Sequence, residues 1–117
     1  MKTVLIIEDE QDIADILPFV LESEGYKVLS LYNADNYRQK IEEYRADLVL
    51  LDLNIAGFSG KLICEYIKGS GELKTTPVIL ISANLNIAQI KLECGADDLI
   101  RKPFDIYNLI DLVHLYA

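Results

Sequence analysis

Short aliphatic runs recur along this chain, and each is followed by a longer stretch whose apolar residues fall at helical spacing. No other feature restricts the fold as much, because regular strand and helix alternation is the pattern of a parallel sheet covered by helices. "TVLII" (3–7), "LVLL" (48–51) and "PVILI" (77–81) are almost uninterrupted, as central strands buried on both faces should be. "KVLSL" (27–31) is more polar and belongs nearer an edge, while "DDLIR" (97–101) is short but stands where the alternation demands a strand. The expectation is an α/β domain with five parallel strands.

Between the strands, Ile13, Ile16, Leu17, Val20 and Leu21 form an apolar stripe at i, i+3, i+4, i+7 and i+8 and predict the clearest helix. Pro18 lies inside it and opposes it, by about 3 kcal/mol or a kink. Tyr37, Ile41 and Tyr44 mark a second helix, Leu62, Ile63, Tyr66 and Ile67 a third, and Ile106, Leu109, Ile110 and Val113 a last one. The stretch from Asn86 to Cys94, with Ile87 and Ile90 as its main anchors, predicts a weaker helix. The polar, Gly-containing segment 68–77 reads as a connector.

At 117 residues the chain has the length of one domain, residues 1–117, and its 51% hydrophobic content is enough for one core. Lys and Arg number 11 against 19 Asp and Glu, with no basic run, which argues against direct nucleic-acid binding. Glu8, Asp9 and Glu10 interrupt the N-terminal apolar stretch before signal-peptide length, and no later run reaches a membrane span, so a cytoplasmic protein without a membrane partner is expected. Cys64 and Cys94 lie on different predicted helices without a CxxC or a neighbouring His and read as buried free thiols. His114, on the last helix, reads as packed or partly exposed rather than catalytic, and the seven tyrosines as packing and surface residues. No P-loop spacing and no GxGxxG after the first strand are present, which removes the sequence warrant for nucleotide binding.

The chemistry collects at strand ends. The first strand runs into Glu8 and Asp9, the third into Asp52, the fourth into Ser82, and the fifth into Lys102 and Pro103. In a parallel sheet these ends share one edge, the edge at which open α/β sheets keep their sites. Three carboxylates held together raise one another's pKa unless a cation offsets them, and one or two carboxylates with other hard oxygens are how Mg2+ is held. An ammonium and a hydroxyl, Lys102 and Ser82, are what a phosphoryl group needs from a protein.

With the acidic pair in "IIEDE", the aspartate in "LVLLDLNIAGFSG", the hydroxyl and small residue in "ILISA", and "RKPF", essentially the whole chain resembles the receiver domains of bacterial two-component response regulators. The resemblance implies a doubly wound five-stranded sheet of order 2-1-3-4-5. It implies that Asp52 accepts a phosphoryl group, that Glu8, Asp9, Asp52 and the backbone carbonyl of Asn54 hold Mg2+, and that Ser82 and Lys102 bind the phosphoryl oxygens. Ala83 and Pro103 would support the neighbouring loops. The implied donor is a phosphohistidine on a sensor histidine kinase or phosphotransfer protein. The implied output is a protein target or a homodimer through the last two helices and fifth strand.

Some positions depart from that family's pattern. Ala56 stands where a proline is common, which predicts a less constrained loop, and Ser59 where an acidic residue often stands. Leu99 takes the place of the aromatic residue that many receivers swing inward, so the expectation is either that Leu99 transmits less or that the switch uses the Asn84 to Cys94 segment alone. Two other functions use similar parts. A receiver-like docking module would need no Mg2+, and a phosphatase of the haloacid-dehalogenase type would need Asp where Asn54 stands, and a cap.

Overall fold

The computed structural model describes residues 1–117. Five strands form one parallel sheet: β1 (Thr3–Ile7), β2 (Lys27–Leu31), β3 (Leu48–Asp52), β6 (Val78–Ser82) and β7 (Asp98–Arg101). A two-residue pair, β4 (Asn54–Ile55) and β5 (Phe58–Ser59), forms a separate antiparallel hairpin that strand periodicity did not anticipate. The sheet order is β2-β1-β3-β6-β7, which is 2-1-3-4-5 when only its own strands are counted. The polar "KVLSL" strand is at one edge, as its composition predicted, and the short fifth strand is at the other.

Alternate residues of each strand serve the two faces. Val4, Ile6, Leu48, Leu50, Ile79 and Ile81 join one core with Leu17 and Leu21 of α1 (Gln11–Ser23) and Leu109 and Val113 of α5 (Ile106–Tyr116). Leu5, Ile7, Val49, Leu51, Val78 and Leu80 join the other core. That core is completed by Ile41 of α2 (Tyr37–Tyr44), Ile63, Cys64 and Ile67 of α3 (Gly60–Gly69), and Ile87 and Cys94 of α4 (Ile87–Cys94). Burial on both sides explains why β3 and β6 contain no exposed residue.

Helix α1 runs unbroken through Pro18. Full burial of Leu17 and Leu21, at about 1.5–3 kcal/mol each, is enough to offset the roughly 3 kcal/mol cost of a helix-interior proline. The core, however, takes only part of the predicted stripe. Ala14, Leu17 and Leu21 are buried, whereas Ile16 is 47% exposed and Ile13 and Val20 are partly so. The connector contains a 3-10 turn, Gly71–Thr75, which buries Leu73. Both cysteines are free and buried. Hydrogen bonding to Cys94 and burial push the Cys64 thiol's pKa up. His114 links α5 to the turn after α1, with Nδ1 2.6 Å from the Tyr26 hydroxyl and Nε2 3.0 Å from Glu24 Oε1. No helix is long and apolar enough to cross a membrane.

Candidate functional site

The strand register brings the sequence-predicted groups to one edge. Ile7 pairs with both Leu31 and Leu51, Asp52 with Ile81, and Ser82 with Arg101, so Glu8, Asp52, Ser82 and Lys102 all fall at the carboxyl end of the sheet. A cleft of about 460 Å³ opens there, lined by Asp9, Asp52, Asn54, Ser82 and Lys102 among others.

Glu8, Asp9 and Asp52 each present a carboxylate oxygen, and these lie within 4.8 Å of one another. Glu8 and Asp52 are buried, while Asp9 is exposed. Burial, then the Asp52 carboxylate, pushes the Glu8 carboxyl up to about 7 against the pull of Lys102. Glu8 Oε1 is 2.9 Å from Lys102 Nζ, an ion-pair distance, yet no donor is aligned on it as a hydrogen bond. A hard divalent cation suits this donor set, because it needs oxygen ligands and no directed hydrogen.

Lys102 sits among three carboxylates, with Nζ 2.9 Å from Glu8, 3.0 Å from Glu10 and 3.3 Å from Asp52. Burial pulls its pKa down, but the close Glu8 and Glu10 carboxylates and the Asp52 charge leave it above the usual lysine range. It is a permanent cation at neutral pH. Its peptide bond to Pro103 is cis. Asp52 also accepts from the Asn54 amide at 3.2 Å, on Oδ1, and so is held between the loop that follows it and Lys102.

Ser82 is buried, and its hydroxyl oxygen accepts from the Asn84 amide at 3.0 Å. Ala83, next in the chain, is exposed and lines the cleft. Leu99 lies outside it, partly buried against the core shared by α2, α3 and α4.

The loop after Asp52 differs from its expectation. Rather than being less constrained for want of a proline, it is tied into the β4–β5 hairpin, with φ of +47° at Ala56 and +81° at Gly57. Positive φ at both central positions is what a two-residue type I′ turn requires. At the base of the loop, a Cβ on Gly60 would overlap the carbonyl oxygen of Asp52 and crowd Leu53 Cα, so the backbones meet there only because residue 60 has no side chain.

Two participants escaped sequence reasoning. Glu10, read there only as part of an acidic run, is a Lys102 partner, and the Ala56 amide donates to Asp9 Oδ2 at 2.6 Å. The acidic run at 8–10 was the available signal for the first. No local pattern encodes the second.

Beside the cleft, and sharing Glu10, Ala83 and Lys102 with it, lies an apolar groove of about 660 Å³ lined by Ile13, Ile16, Val20, Pro103, Phe104 and Ile106. The part of the α1 stripe that the core does not take is found here.

The family model for the response regulator receiver domain matches residues 4–114. The sensory transduction protein RegX3 of Mycolicibacterium smegmatis is 36% identical over 112 residues, covering 94% of this chain and 48% of that protein. The chain therefore spans about half the length of this curated relative. Among solved structures, the signal receiver domain of a signal transduction histidine kinase from Syntrophus aciditrophicus is 31% identical, with a TM-score of 0.89 over 99% of this chain and 89% of that one. The receiver domain of sensor histidine kinase PA1611 from Pseudomonas aeruginosa PAO1 carries a magnesium ion coordinated in its active site cleft. It is 22% identical, with a TM-score of 0.88 over 98% of this chain and 96% of that one. With a matching family model over nearly its whole length and these relatives, the chain belongs to the response regulator receiver domain family.

Proposed function

We propose that this receiver domain takes a phosphoryl group onto Asp52 from a phosphohistidine of a sensor histidine kinase or phosphotransfer protein. One observation carries the reading: a buried strand-end aspartate with an ammonium 3.3 Å away and two further carboxylates at the same edge. Glu8, Asp9, Asp52 and the Asn54 carbonyl would hold Mg2+, which supplies neutralising charge to the phosphoryl oxygens.

In the transfer, an Asp52 carboxylate oxygen forms a bond to phosphorus as the phosphorus–nitrogen bond breaks. The imidazole leaves with its electron pair and takes up a proton. The chain contributes mainly position and charge. Lys102, already shared among three carboxylates, can turn toward a phosphoryl oxygen without leaving the site. Ser82 has a hydrogen to donate, because its oxygen is the acceptor in its bond with the Asn84 amide. A phosphoryl group that draws the Ser82 hydroxyl toward itself moves the Asn84 segment with it. The output is then a shift in population between two surfaces, built from α4, β7 and α5.

The apolar groove beside the cleft is continuous with the phosphoacceptor edge and suits the donor protein. A partner seated on Ile13, Ile16 and Phe104 brings its histidine to Asp52. Hydrolysis of the acyl phosphate at the same site returns the domain to rest.

The test is intact-protein mass after incubation with Mg2+ and acetyl phosphate, beside Asp52→Asn and an EDTA control. A labile gain of one phosphoryl group that needs both Mg2+ and Asp52 is expected. No gain, under conditions that label another receiver, would overturn the reading in favour of a phosphorylation-independent docking module.

A further inference from the structure

The acidic residues of the cleft are not held alike. Glu8, Glu10 and Asp52 all meet Lys102, whereas Asp9 is in none of the ion pairs. Its partner is the Ala56 amide, which donates to Oδ2 at 2.6 Å across a wide sequence separation. The difference matters chemically. An ammonium offsets a carboxylate's charge, while a backbone amide fixes one oxygen and leaves the charge and the second oxygen available.

The amide itself is firmly mounted. Ala56 and Gly57 form the tip of the hairpin, Ile55 is fully buried, and Phe58 packs on Tyr37 with ring centroids 5.5 Å apart. Tyr37 meets Tyr66 edge-on at 5.8 Å, and the Arg38 guanidinium lies 5.1 Å from the Tyr66 ring centroid. The Gly60 amide bonds the Leu53 carbonyl at 2.8 Å and closes the loop at its base. The hairpin thus connects the surface of α2 and α3 to a single carboxylate.

We infer that the Ala56 amide is a positioning group that holds the Asp9 carboxylate for a divalent cation, an inference that rests on the Mg2+ reading of the site. The departure at position 56 then has a physical purpose. A proline, locked near φ −65° and without an N–H, could form neither this turn nor this bond. Outer partners that orient metal ligands typically tune affinity by about 10- to 100-fold.

The experiment is Mg2+ titration of the full chain, followed by amide NMR shifts, with the dissociation constant as readout. Ala56→Gly keeps the amide and the positive φ and should bind as the parent does. An ester in place of the amide joining Ile55 and Ala56 replaces the N–H with an oxygen and so removes this donor while keeping the side chain and the positive φ, and it should weaken Mg2+ by about tenfold. The same ester in an Asp9→Ala background, which has no side-chain oxygen for the amide to hold, should cause no further loss. Ala56→Pro should weaken binding at least as much, and if its circular dichroism shows unfolding, the ester decides alone. An ester chain that binds Mg2+ as tightly as the parent overturns the inference while leaving the metal reading intact. A parent chain that binds no Mg2+ overturns both.

Discussion

Two loops leave the same edge of the sheet and face each other across the cleft, and they are held by different means. The β3–α3 loop, from Leu53 to Ser59, carries its own hairpin, a buried Ile55, an aromatic contact at Phe58 and a backbone approach at Gly60 that admits no side chain. The β6–α4 loop, from Ala83 to Asn86, is exposed throughout, with Leu85 at 92%. Its fastenings are short-range, the Asn84 amide on Ser82 Oγ and the Asn86 amide on Asn84 Oδ1. The helix it leads into buries only Ile87 and Cys94. The contrast teaches a division of labour: the wall that would hold a cation is over-determined, and the wall that would answer a phosphoryl group is anchored by a few replaceable bonds.

The largest expected effect is at Gly60. Gly60→Ala should cost about 1–3 kcal/mol in urea unfolding, because the added methyl displaces backbone rather than a side chain. An unchanged unfolding midpoint would mean that the first wall is as yielding as the second.

Next is the pH dependence of the carboxylate cluster. Glu8 is pushed from an ordinary 4.5 to about 7, so between those values the folded chain keeps a proton that the unfolded chain has lost. Its contribution to stability is full below about 4.5 and is lost as pH rises through 7. Unfolding midpoints in Mg2+-free buffer should therefore fall across that window in the parent and flatten in Glu8→Gln. A parent profile no steeper than that of the variant would show that Glu8 is not the strained member.

Ile16→Ser tests whether the groove belongs to the donor. Transfer from a phosphorylated histidine kinase domain should weaken by about 1 kcal/mol in kcat/KM, while labelling by acetyl phosphate is unchanged. Equal loss with both donors would place the defect in the cleft instead.

Apart from residues 52–56, whose amides touch the phosphorylated aspartate or the metal ligands directly, amide shifts on phosphorylation should concentrate in residues 82–102 and be small at 57–59, the far half of the hairpin. The reverse distribution would break the proposed division of labour. The smallest effect belongs to Leu85→Ser, within about 0.5 kcal/mol of the parent stability, because that side chain is almost wholly in water.

Much of this molecule is legible in its primary structure. The aliphatic runs at 3–7, 48–51 and 77–81 mark β1, β3 and β6 to within a residue, because a strand buried on both faces leaves little room for polar side chains. Polar residues standing at the carboxyl ends of such runs can be collected at one edge without coordinates, since parallel strands in register end together. The apolar stripe of α1 was legible as a stripe but not as two surfaces. Periodicity reports that Ile16 lies beside Leu17, and only the packed sheet determines that Leu17 is buried while Ile16 lines a groove.

Local pattern determined the α/β class, the number of sheet strands and the residues at their ends, because spacing of apolar side chains is a property of neighbouring positions. Tertiary structure alone decided that Lys102 is shared by Glu8, Glu10 and Asp52, that His114 links Tyr26 to Glu24, and that the Ala56 amide grips Asp9. Each of these joins residues far apart in the chain. Their meeting depends on the sheet order and on the turn that closes the hairpin, which no run of neighbouring side chains encodes.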